Sequence, residues 1–199
     1  MLTEIFYDRV AAVEYARKWA LSRNPLFADF TGGGGNCTNF VSQCLLAGCG
    51  VMDFTPTFGW YYRSIADRAP AWSGVDELYD YLTSSNDFAR RMTVGPYATL
   101  VRMRREIEIG DVIQLANSAG AFYHTLIVSG FSGNDILVCA QSDDALDRPI
   151  STYNYASLRV LHVQGALIDL PREMVFDNLF DAIALQVVDA EAVSVDSQT

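Results

Sequence analysis

Apolar positions along the chain follow two successive regimes. From Tyr7 to Leu21 they recur with helical spacing, Val10, Val13, Tyr15, Ala16, Trp19 and Ala20 forming one stripe. Ser22-Arg-Asn-Pro25 ends this helix, because Pro25 disfavours helical geometry at Asn24. Four consecutive glycines, Gly32 to Gly35, follow as a loop. Cys37, Phe40, Val41, Cys44 and Leu45 then repeat at i, i+3, i+4, i+7 and i+8, which predicts a second helix over Cys37 to Ala47. A third is predicted over Ser73 to Leu82, with Ser73 as N-cap and Asp76 three residues on.

The period then shortens. Asp111 to Leu115, His124 to Ser129, Asp135 to Ala140 and Leu158 to Val163 are brief, rich in Val, Ile and Leu, and bounded by turn residues. They predict antiparallel strands. Helices first and strands afterwards indicate an α+β fold with segregated elements. Phe176, Leu179, Phe180 and Ile183 predict a further amphipathic helix between Arg172 and Leu185, and the residues from Asp189 read as an acidic tail.

Composition narrows the function. The chain has 199 residues, half of them hydrophobic, which is enough for one domain with a substantial core. Its 24 acidic and 14 basic residues give a net charge of −10. Such a surface repels phosphate backbones and anionic lipid, so nucleic acid and membrane surfaces are not expected partners. No apolar run approaches the ~18 residues of a membrane span. The start, Met1 to Phe6, lacks a basic stretch followed by an apolar run, so a cytoplasmic protein is expected. The four cysteines, Cys37, Cys44, Cys49 and Cys139, fit no zinc pattern. No phosphate-binding or dinucleotide-binding motif occurs, and no cofactor is expected.

Cys37 opens the second helix, where free backbone N–H groups and the positive end of the helix dipole favour a thiolate. The glycines before it let a substrate backbone approach and offer N–H groups for an oxyanion. Of the two histidines, His124 begins a strand and His162 lies within one. A base must reach the nucleophile, which is easier from a strand end, so His124 is the candidate. If Gly130 to Asp135 form the loop of the next hairpin, Ser129 pairs with Ile136 and His124 lies opposite Gln141. The glutamine oxygen could then accept the second ring N–H of His124 and fix its tautomer. Asp143 is the competing orienter. Trp60, Tyr61, Tyr62 and Trp72 suit either a cleft wall or the core, and Asp111 a turn into a strand.

Gly35-Asn-Cys-Thr-Asn-Phe-Val-Ser-Gln43, preceded by Tyr7-Asp-Arg-Val-Ala-Ala-Val13 and Asn24-Pro25, resembles a bacterial amidase domain family. Those domains are similar to the NlpC-like and CHAP peptidases of the papain-like superfamily. The match continues through Gly110-Asp-Val-Ile-Gln114, His124-Thr-Leu-Ile-Val128 and the segment from Gln141 to Arg148. The resemblance implies a papain-like domain over residues 1–165, with 166–199 as a C-terminal extension. It implies Cys37 as nucleophile, His124 as base and Gln141 as third polar residue. Two positions depart from the family pattern: Asn36 stands where Asp is usual, and Gln141 where His is common. The expected activity is hydrolysis of a peptide or other amide through a thioester. Acyl transfer and a peptide- or glycan-binding domain without chemistry are the alternatives.

Overall fold

The computed structural model describes residues 2–84 and 93–169. Its elements, in chain order, are β1 (Leu2–Ile5), α1 (Arg9–Trp19), α2 (Cys37–Cys49), α3 (Pro70–Ser73), α4 (Val75–Thr83), β2 (Gly95–Leu100), β3 (Val112–Ala116), β4 (Phe122–Ser132), β5 (Asp135–Ala140), β6 (Ala145–Pro149) and β7 (Ser157–Asp169). The seven strands form one sheet in the order β1-β7-β3-β4-β5-β6, with β2 also paired to β7. All pairings are antiparallel. This is an α+β architecture.

Alternation along the strands divides the interior in two. Val112, Ile127, Cys139, Leu161 and Val163 pack with Tyr15, Phe40, Val41 and Leu45 of α1 and α2. Their strand neighbours Ile113, Leu115, Leu126, Val128 and Val138 form a second cluster on the other face, with Ile150 and Val160. Helix α2 is buried almost all round, Ala47 being the exception. Trp60 and Trp72 lie behind it, ring centroids 4.9 Å apart, both fully buried. Their indole N–H groups donate to Ser42 Oγ and Asn39 Oδ1. These aromatics therefore build core.

Helix α1 is capped by Asp8, whose carboxylate accepts from the Ala11 N–H. Helix α4 begins at Val75, not at Ser73. Gly74 is extended and serves as N-cap, while Ser73 ends α3 and accepts from Arg68 Nε. Asp111 is buried at the start of β3. It takes an ion pair from Arg9 at 2.7 Å and a contact from His162 Nδ1 at 2.9 Å. It also accepts the N–H groups of Glu108 and Val163. Asp111 thus ties α1 to β7. Strand β7 runs on to Asp169, past the expected boundary at residue 165. The helix expected over 172–185 and the tail after it lie outside the described residues.

The β4–β5 hairpin corrects the expected register. The strands continue to a two-residue turn at Gly133-Asn134, with Ser132 opposite Asp135. A bulge between Val128 and Gly130 then shifts the ladder, so that Val128 faces Val138 and Ile127 faces Cys139. Along that ladder His124 no longer falls opposite Gln141. A bulge moves one strand by a single residue, and the cross-strand partner changes with it.

Candidate active site

Cys37 is the first residue of α2 and 6% exposed. Its thiol lies 3.9 Å from Thr38 Oγ1. Thr38 Oγ1 is in turn 2.8 Å from Thr125 Oγ1, which fastens the start of the helix to β4. The turn before it relies on glycine: Gly34 and Gly35 have φ of 115° and 101°, a region costly for any other residue. The glycine N–H groups are not all free for an oxyanion. Those of Gly33 and Gly35 donate to Phe30 O. The Asn36 N–H donates to Ser142 Oγ. The Cys37 N–H, as the first of the helix, has no intrahelical acceptor.

His124 is 7% exposed. It pairs across the ladder with Leu115, which pairs with Leu158, and so sits on the face away from α2. Its neighbour Thr125 faces α2. Past Ile127 towards Phe122 the ladder with β5 has ended. There the two faces meet in a cleft of about 380 Å³ lined by Cys37, His124 and the backbone turn of Gly34 and Gly35. Tyr123, Ser142, Asp143, Arg148, Tyr153 and Asn154 complete the wall. The structure therefore brings Cys37 and His124 to one cavity. They are not hydrogen-bonded, and His124 Nε2 is buried with no partner among the described residues. Burial lowers the His124 pKa below the ordinary 6.5, with Arg148 adding to the effect and Asp143 opposing it. The resting imidazole is accordingly neutral and able to accept a proton.

Gln141 is also buried, but its amide is engaged elsewhere. Its Nε2 donates to the carbonyls of Trp19 and Ser22 at 2.7 Å each. Its Oε1 accepts from Asn36 Nδ2. Asn36 Oδ1 accepts from the Phe30 N–H at 3.0 Å and from Asn39 Nδ2 at 2.8 Å. Three segments, the end of α1, the end of β5 and the start of α2, are joined through these two amides. Asp143 carries the electrostatic influence on His124 instead, and is ion-paired to Arg148 at 2.7 Å. Arg148 stacks over the Tyr153 ring at 4.0 Å. Burial raises the Tyr153 pKa to about 12, so its hydroxyl stays protonated. Sequence reasoning overlooked Arg148, Ser142 and Tyr153. The charged residues of the segment Gln141 to Arg148 are the signal the sequence offers there.

Residues 6–163 match the model of the family described as "Putative amidase domain". The chain belongs to this family. Membership points to amide hydrolysis in general. A relative in Bacillus subtilis (strain 168), named "Uncharacterized protein YhbB", is 36% identical over 143 residues, which is 70% of this chain and 42% of that protein. The chain thus spans less than half the length of that relative. No solved structure matches it. Among the described residues no helix is long and apolar enough to cross a membrane, and no cluster of His, Cys, Asp and Glu could hold a metal ion.

Proposed function

We propose that this domain is a papain-like cysteine amidase, with Cys37 as nucleophile and His124 as general base. The observation that carries this reading is the shared cleft: a thiol at a helix N-terminus and a buried imidazole, whose Nε2 has no hydrogen-bond partner among the described residues, line one cavity. The other three cysteines cannot compete. Cys44, Cys49 and Cys139 are buried, and burial raises their pKa values, that of Cys49 to about 12.

Cys37 Sγ attacks the amide carbonyl while His124 takes the thiol proton. The oxyanion of the tetrahedral intermediate accepts from the Cys37 N–H. The C–N bond breaks, and His124 gives its proton to the departing amine, leaving a thioester. Water then attacks the thioester as His124 removes its proton; the acid leaves and the thiol is restored. Gln141 acts on Cys37 by holding Asn36, the residue before it, and Asp143 acts on the imidazole.

Iodoacetamide alkylation, with the modified residue located by mass spectrometry, tests this pairing in wild type and His124→Ala. Cys37 is expected to react first, and more slowly in the variant. An unreactive Cys37, or a rate indifferent to His124, would remove the nucleophile or the base and leave a binding domain.

A further inference from the structure

Beside the cleft of Cys37 lies a second cavity of about 440 Å³ against the β3–β4 turn, and Tyr123 and Asn154 line both. Asn117, Ser118, Tyr155 and Ala156 complete its wall. None of these is charged, in a chain whose residues are 19% charged. The first cavity, by contrast, carries the Asp143–Arg148 pair. The cleft is therefore polarised, with ions beside the thiol and none at the turn.

The neutral wall still offers hydrogen bonds. Asn117 Oδ1 is committed to the N–H groups of Ala119 and Ala121, at 2.9 and 3.1 Å. Its amide NH₂, the Asn154 amide and the hydroxyls of Ser118 and Tyr155 have no partner among the described residues. Tyr123 is held in place through its hydroxyl, which donates to Asn154 O at 2.9 Å.

We propose that this second cavity is a subsite for an uncharged, extended peptide segment of the substrate, continuous with the amide bond presented to Cys37. The cleavage part rests on the amidase reading; the binding part does not. Side-chain amides carry one acceptor and one NH₂ donor, which matches the alternating groups of a peptide backbone. A charged side chain placed there would lose water and meet no counter-charge.

The test uses the 199-residue chain as Cys37→Ala, labelled with ¹⁵N and titrated with a capped oligoalanine amide, the same peptide with Lys or Glu substitutions, and a chitooligosaccharide. Saturable shifts at Asn117, Ser118 and Tyr155 are expected with oligoalanine, and about tenfold weaker binding, or ~1.4 kcal/mol, with either charged peptide. Asn154→Ala combined with Tyr155→Ala should weaken oligoalanine by a similar factor, with thermal unfolding confirming that the variant is folded. Shifts confined to the thiol end, preference for a charged peptide, or shifts with the saccharide alone would overturn the subsite. If these shifts appear while wild type cleaves no amide, the subsite stands and the amidase reading fails.

Discussion

The side-chain amides of Asn36 and Gln141 are hydrogen-bonded to each other, Nδ2 to Oε1, across 105 positions of sequence. Gln141 is therefore a clamp on the turn before Cys37, with its other end closed on Trp19 O and Ser22 O. Gln141→Ala leaves the Asn36 amide NH₂ without this acceptor, at roughly 1–3 kcal/mol before relaxation, and removes one of two donors from Trp19 O and Ser22 O, which keep the Ser22 N–H and Arg23 Nη1. A lower denaturation midpoint and slower alkylation of Cys37 are expected. The ¹⁵N shifts of the His124 ring should stay as in wild type. A changed His124 tautomer would instead restore Gln141 as its orienter.

Much of this site was legible because helix periodicity and strand-end position are local signals. Cys37 opens a helix as its i, i+3, i+4 stripe demands, and His124 stands near the start of a strand. The partner of His124 was not legible. It depended on a register that a bulge at Val128/Gly130 and a turn at Gly133-Asn134 jointly reset. Gly130, Phe131 and Ser132 looked like loop, yet they extend β4 beyond the core, where Phe131 is 47% exposed. Strands β1, β2 and β6 carry little alternation, since pairing with longer partners rather than a hydrophobic face defines them. The Asn36–Gln141 contact joins two residues whose types alone point to no common role.

The lowered pKa of His124 has a consequence for stability. The native imidazole resists protonation, chiefly through burial. Below pH 6.5 the unfolded chain therefore binds a proton that the native state refuses, and stability falls with pH until the native pKa is passed. Urea unfolding at pH 7.5 and 5.5 should show wild type losing more stability than His124→Gln. In the native protein the His124 Cε1–H resonance should titrate below 6.5; a midpoint at or above that value would contradict the burial argument.

Gly48 of α2 packs against Tyr7 and Asp8, which lead into α1. A Cβ there would fall 2.2 Å from Tyr7 Cε2 and 2.9 Å from Asp8 O. The Tyr7 ring has little room to withdraw, being buried with its hydroxyl bonded to Gly110 O at 3.1 Å. Gly48→Ala forces the helices apart despite alanine's better helix propensity, and overpacking of this kind costs about 1–3 kcal/mol. Guanidinium unfolding of Gly48→Ala measures it. An unchanged or raised midpoint would mean that Tyr7 repacks freely.

Asp111 is a structural carboxylate. It is fully buried and compensated on all sides, by Arg9, His162 and two backbone N–H groups. It does not line the cleft of Cys37. Asp111→Ala removes the buried carboxylate from Arg9, which keeps the half-exposed Glu108 and the carbonyls of Ile109 and Val163, and it leaves the Glu108 and Val163 N–H groups without their acceptor. Removing one member of a buried pair costs about 3–5 kcal/mol, so a large drop in the unfolding midpoint is expected. At a temperature where the variant remains folded, Cys37 should still be alkylated at the wild-type rate, because the Asn36–Gln141 clamp and the cleft are untouched. A slowed alkylation with intact folding would instead connect Asp111 to the thiol, along α1 from Arg9 to the Trp19 carbonyl that Gln141 holds.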